Sequence, residues 1–512
     1  MHNGFGSLSY HWKNHRILYA MEEREFMKRN PLISKDIVPT IFKERSISGY
    51  GFFNIWVGMA VMLATFQIGA SGIDSMSILV LACAIFVANL IIAIISSLSG
   101  DIGIEHGLSF AAYLRAPFGT AGVHIPAVIR GIVASIWFGV LTYLGATAIN
   151  YIFNSLTGFD SWFFWYVAFA AVQIINTAFG IKAIDRLAVI AAPIIIIISI
   201  WILVDVIGKA TDKGVDLLSY SGTSHTTTWF LVMIGNMGFW CALAIDIPNL
   251  TRYVKAPKNE RNWFKRNKNN YLPHITALPL VQTFVGIIGA ISILGTGLWN
   301  PIEVIQQTST GWVMAVLLCM VILAQWSTNS PANLIPATLT FVNAGSKFKL
   351  SFTGGLILAG IVGTLFQPWA ILDQLFMFLG YLGAVLSPVA GIILCDYYII
   401  RKRRLNVKEL YEEQGQFNYD GGINWAGMIT WIVAGGLAIY FIDYMYVIGF
   451  PLGMIGYYSL MKFWYLKKHP QKELDSNYSD EYLGITVGRD WNIEVDPVVQ
   501  KENQPVVESP LN

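Results

Sequence analysis

Apolar runs of about twenty residues, separated by short polar stretches, recur from residue 52 to residue 464. A helix needs about 20 mainly apolar residues to cross a bilayer. Twelve segments qualify: 52–72, 77–98, 124–153, 161–181, 187–208 and 228–250, then 273–295, 312–340, 353–371, 374–399, 424–444 and 446–464. The pattern predicts an all-α polytopic membrane protein with about twelve transmembrane helices.

The basic residues test that map. Cytoplasmic loops carry an excess of Lys and Arg. With a cytoplasmic N-terminus, nearly all 34 Lys and Arg fall in the two tails and the even-numbered loops. The exceptions are Lys209 and Lys213 in an outer loop and Arg130 near the start of the third span. Both termini are therefore expected in the cytoplasm. Residues 1–50 hold no apolar run and read as a tail rather than a signal peptide. Residues 51–464 form the membrane domain. Residues 465–512, polar and containing Pro497, Pro505 and Pro510, read as a disordered C-terminal tail.

Composition agrees with the spans and narrows the function. Over 512 residues the chain is 54% hydrophobic and 13% charged, with mean hydropathy +0.52. Soluble domains average about 25% charged residues. Disordered, collagenous, coiled-coil and soluble nucleic-acid-binding proteins are excluded. Cys83, Cys241, Cys319 and Cys395 are far apart in apolar stretches and read as small buried hydrophobes, without a zinc or disulfide pattern. No catalytic triad, zinc-protease or nucleotide-loop motif stands in a suitable context, so the chain is not expected to be an enzyme. A mostly helical membrane domain with short loops also offers no obligate protein partner.

Polar side chains inside a bilayer are costly and mark function. The eighth span gathers Gln325, Ser327, Thr328, Asn329, Ser330 and Asn333 around Pro331. Hydroxyl and carbonyl oxygens suit an alkali cation, and Asn333 offers a donor and an acceptor to an amide-bearing ligand. Interhelical hydrogen bonding would need fewer such groups. In the sixth span Gly235 and Gly238 flank Asn236, which suggests either an interrupted helix or close packing through small residues. Gly58 in the first span is a candidate for another break, and Trp137 in the third is a stacking platform if it faces a polar cavity. Asp246 is open to three readings: a proton relay, a partner of Arg252, or a cap beside Pro248. Asp396 reads as an interface anchor, and Glu105 and His106 as gate or surface residues.

These residues also carry a family resemblance. Asn54–Ala60, Arg115–Gly119, Trp137–Gly139, Asp246–Arg252, Trp326–Leu334 and Ser387–Tyr398 resemble, in order, segments of the nucleobase–cation symporters that transport hydantoins, allantoin, purines and pyrimidines. The resemblance implies a LeuT-type fold. Two inverted repeats, about 51–208 and 228–399, would be followed by two helices at about 424–464, with helices one and six discontinuous. It also implies a site. Trp137 and Trp240 match tryptophans that sandwich a planar ring in sodium-coupled hydantoin-transporting members, and Asn333 matches their ring-binding asparagine. Phe239 stands where such a member has a glycine, and Met62 and Leu141 stand where it has glutamines. The carbonyls of Gly58, Val61 and Ala324 and the hydroxyls of Ser327 and Thr328 match its sodium ligands.

The expected function is therefore import of a planar nitrogen heterocycle across the cell membrane by cation symport, with sodium as the coupling ion and no other cofactor. The alternatives are proton coupling through Asp246 and a non-transporting nutrient sensor.

Overall fold

The computed structural model describes residues 30–224, 226–480 and 490. Among these, each of the twelve expected segments carries a helix. Seven are long and apolar enough to cross a membrane: Ile78–His106, His124–Thr157, Ile181–Asp212, Trp229–Asp246, Lys268–Thr296, Gly311–Ala344 and Met377–Ile400. Trp162–Ala178 and Phe352–Leu365 are shorter apolar helices at the fourth and ninth positions. Two bent pairs complete the set. Gly49–Ala60 and Leu63–Ile73, bent by 53°, form the first span, and Trp425–Tyr440 and Ile442–Lys468, bent by 114°, are the eleventh and twelfth. Ile197, Val204, Trp312 and Ile361 are exposed on the outside of the bundle, as lipid-facing positions are.

Small residues let the central helices touch. A Cβ on Gly69 would lie 1.8 Å from Gly286 O, and one on Gly289 would lie 2.0 Å from Phe66 O. These glycines allow the second half of the first span to lie directly against the seventh.

The first span breaks at Val61 (φ −95°, ψ 54°) and Met62 (φ −101°, ψ 157°). The break lies beyond Gly58, which stays helical. Thr65 Oγ1 lies 2.6 Å from Met62 O and 3.0 Å from Ala60 O, so its hydroxyl serves carbonyls released by the break. The interruption expected at Gly235 and Gly238 is not formed. The sixth span is one helix from Trp229 to Asp246, and the chain turns at Ile247. A Cβ on Gly238 would meet Met445 Cε at 2.4 Å and Leu379 O at 3.1 Å, so this glycine serves close packing.

The eighth span contains a π-helical turn, Ser330–Leu334, in which Ile335 N–H reaches Ser330 O. Proline has no N–H to offer the carbonyl four residues earlier. Pro331 and Pro336 therefore release the carbonyls of Ser327 and Ala332.

The end of the bundle that carries most basic residues is knitted by buried charge. Arg266 lies 2.9 Å from Asp101 and 2.6 Å from Glu105. Burial works against the Arg266 cation, but Asp101 and Glu105 outweigh it and hold its pKa above the usual range. Glu105 and His106 are thus buried, not surface groups. Asp396 is not an interface anchor either. It is fully buried and accepts from Tyr457 Oη at 2.7 Å, Arg401 Nε at 2.8 Å and Tyr113 Oη at 2.9 Å.

Arg401 also pairs with buried Glu473, which accepts a second bond from Gln416. Phe42 N–H donates to Asp490 at 2.7 Å. The expected C-terminal tail therefore begins as a strap across this end, because two donors draw Glu473 inward. Most of the tail beyond 480, and residues 1–29 of the expected N-terminal tail, lie outside the described residues. Cys241 and Cys395 are buried as expected, whereas Cys83 and Cys319 are exposed on the helix exteriors.

Candidate functional site

The site is built where the first, third, sixth and eighth spans meet. Thr328 Oγ1 reaches across from the eighth span to Gly58 O at 2.6 Å. The same hydroxyl lies 2.8 Å from Ala324 O, and Ser327 Oγ lies 3.1 Å from Ala324 O. Gly58 is needed here: a Cβ would sit 3.2 Å from Ser327 Oγ. Val61 stands at the break and borders an apolar cavity together with Ala324. Four of the five expected cation ligands are thus interlocked, with Val61 beside them.

The chemistry of the set is specific. It consists of uncharged oxygens, and one hydroxyl proton cannot satisfy two carbonyls at once. Hard oxygen donors without a carboxylate suit a monovalent alkali ion better than a transition metal. Among the described residues no cluster of His, Cys, Asp and Glu could hold a metal.

The aromatic residues gather next to this oxygen cluster. Trp137 and Phe239 meet edge to face, as do Phe239 and Trp240. Trp240 also touches Trp56, with centroids 5.7 Å apart. All four are buried. The two expected sandwich tryptophans are therefore linked through Phe239, which touches both. Trp240 Nε1 and Trp56 Nε1 are buried without a hydrogen-bond partner. Met62 lies at the break of the first span and Leu141 one turn beyond Trp137; both are buried.

Asn333 lies in the π turn and is 4% exposed. Its Nδ2 donates to Asn329 Oδ1 at 2.9 Å. Asn329 Nδ2 in turn faces Phe138 O (3.0 Å), Thr142 Oγ1 (3.2 Å) and Gln173 Oε1 (2.8 Å). This hydrogen-bonded set ties the eighth span to the third and fourth. Gln173 was not anticipated. Its signal was faint: a single glutamine in an aromatic, apolar helix.

Asp246 does not pair with Arg252, which donates to Thr40 Oγ1 at 2.6 Å. Its partner is Arg130, whose Nε lies 3.0 Å away, both residues being buried. Arg130 Nε also donates to Ala242 O at 2.9 Å, and its Nη2 reaches Ala332 O at 3.4 Å. One guanidinium thus serves the sixth span and a carbonyl released by Pro336. Arg130 was overlooked as a partner because it lies far from Asp246 in sequence.

Known proteins share this architecture. A family model described as permease for cytosine/purines, uracil, thiamine and allantoin matches residues 38–462. The hydantoin permease of Microbacterium maritypicum is 28% identical over 457 residues, covering 88% of this chain and 93% of its own. A purine-uracil permease of Arabidopsis thaliana is 30% identical over 436 residues, covering 79% and 70%. Among solved structures, a nucleobase-cation-symport-1 family transporter in a closed conformation with bromovinylhydantoin bound is 28% identical. It superposes with a TM-score of 0.81, over 86% of this chain and 98% of that one.

Proposed function

Since the chain belongs to the family of permeases for cytosine/purines, uracil, thiamine and allantoin, we propose that it imports a planar nitrogen heterocycle by symport with sodium. It is a multi-pass membrane permease and not an enzyme. In our reading it lies in the cell membrane, with the basic end and both termini in the cytoplasm.

The observation that carries the proposal is the oxygen cluster of Gly58, Ala324, Ser327 and Thr328 at the break of the first span. A cation held there links the first span to the eighth. Those two elements belong to opposite repeats, so ion binding favours one relative arrangement of the halves. Coupling then follows from the different affinities of the two arrangements for ion and ring.

Trp137 and Trp240 supply flat faces for the ring. Stacking is worth about 0.5–1.5 kcal/mol beyond area burial and does not read ring identity. Asn333 supplies the polar contact that does. Met62 and Leu141 offer no hydrogen bonds, which leaves a more apolar slot than one lined by glutamines. The ion pair of Asp246 with Arg130 gives that carboxylate a structural occupation and weighs against proton coupling through it.

The test is uptake by cells expressing the chain, using labelled hydantoin, allantoin, uracil, cytosine and adenine in sodium and in potassium medium at fixed pH. Sodium-dependent uptake of one ring is expected. Uptake indifferent to sodium but driven by pH would replace this reading with proton coupling. Binding without uptake would favour a sensor.

A further inference from the structure

Three buried amides and one hydroxyl on the third, fourth and eighth spans form a chain with a fixed direction. A backbone carbonyl only accepts hydrogen bonds, so an amide that faces one must present nitrogen. Gln173 Nε2 faces Phe169 O at 3.2 Å and Thr142 Oγ1 at 3.1 Å. Thr142 spends its proton on Phe138 O at 2.7 Å, so its oxygen accepts from Gln173. Gln173 must then turn Oε1 toward Asn329, where it accepts from Nδ2 at 2.8 Å. The same Nδ2 faces Phe138 O, which fixes Asn329 independently.

With its nitrogen committed, Asn329 presents Oδ1 to Asn333 and accepts from its Nδ2. Asn333 Oδ1 is left without a donor among the described residues. Gln173, Thr142 and Asn329 are all fully buried, so water does not compete for these positions.

We infer that Gln173, Thr142 and Asn329 are positioning residues that fix which way the Asn333 amide is turned, so that the transported ring must present an N–H to its Oδ1. This rests on the functional reading above and narrows its substrate class. The favoured ligands are rings with a lactam or ureide N–H at the edge facing the eighth span. Rings alkylated at that nitrogen, or carrying a lone pair there, are rejected. Met62 and Leu141 place no second amide in the slot to rescue them. Two backbone carbonyls, of Phe138 and Phe169, thus set substrate polarity through three intervening side chains.

The experiment measures ligand binding to the purified full-length chain in detergent with sodium present. Uracil and hydantoin are each compared with their individual ring N-methyl isomers. Wild type should bind the parent ring at least tenfold more tightly than one of its N-methyl isomers. Asn329→Leu frees the Asn333 amide to turn, and the ratio should fall to about threefold or less. Gln173→Met removes the second anchor of Asn329 and should lower the ratio in part.

General damage to the fold would weaken parent and methylated rings alike and leave the ratio unchanged. Equal binding of the parent and every N-methyl isomer by wild type would overturn the inference without any variant. So would a ratio unaltered in folded Asn329→Leu. Failure of every parent ring to bind would instead overturn the functional reading, and this inference with it.

Discussion

Phe239 stands edge-on to Trp137, with ring centroids 5.2 Å apart and planes inclined by 81°. It meets Trp240 almost as squarely, at 4.9 Å and 88°. One phenyl ring therefore touches both tryptophans. In the ring-stacking reading proposed above, Phe239→Ala should open space between them. Bulky 5-substituted hydantoins should gain at least tenfold in affinity over unsubstituted hydantoin, relative to wild type. Competition against a labelled ring measures this, and an unchanged ratio would show that Phe239 does not limit substituent size.

The oxygen cluster makes a prediction separable from ring binding. Thr328→Val keeps the shape of the side chain and removes the oxygen that touches Gly58 O and Ala324 O. Hydrogen bonds to charged groups are worth about 1.5–3 kcal/mol, and a comparable loss at an ion is roughly ten- to hundredfold in affinity. The sodium concentration for half-maximal uptake should rise accordingly. Ring binding measured without sodium should change little.

Arg130 and Asp246 form an ion pair buried between spans. Removing one partner of such a pair costs about 3–5 kcal/mol, because the other charge is left uncompensated. Arg130→Met should therefore lower the thermal unfolding temperature sharply. Arg130→Met combined with Asp246→Leu should restore much of it. Asp246→Asn should leave the remaining uptake sodium-dependent, whereas complete loss of uptake in a folded Asn variant would favour the proton relay.

Glu473 is held by Arg401 and Gln416. Glu473→Ala should expose residues 466–480 to hydrogen exchange and lower the unfolding temperature. Glu473→Gln, which keeps an acceptor for Arg401, should be milder. Equal protection in all three proteins would show that the strap is held by other contacts.

Much of this architecture was legible in the chain. Apolar length places a helix in each expected segment, because the bilayer imposes a length. The density of hydroxyls and amides at Ser327–Asn333 sets the eighth span apart, and the structure joins it to the first, third and fourth spans there. What was not legible depends on distant partners. Gly58 signals a break but provides clearance for Ser327, and the chain actually breaks at Val61. Gly238 looks like an interruption and is a packing contact, since a glycine looks the same in sequence whether it frees the backbone or admits a neighbour. Asp246 finds Arg130 rather than the nearby Arg252, and Gln173 becomes meaningful only once the fourth span lies against Asn329.

The π turn at Ser330–Leu334 acts as a phase shifter. Each residue of an α-helix advances about 100° around the axis, so one inserted residue rotates everything beyond it by about that angle. The helix can then aim Ser327 and Thr328 at the first span and still turn the Ala332 carbonyl toward the third. The hydroxyl that meets Gly58 O and the carbonyl that meets Arg130 share one rod without sharing one azimuth. Deleting a single residue from that turn would undo the offset between them.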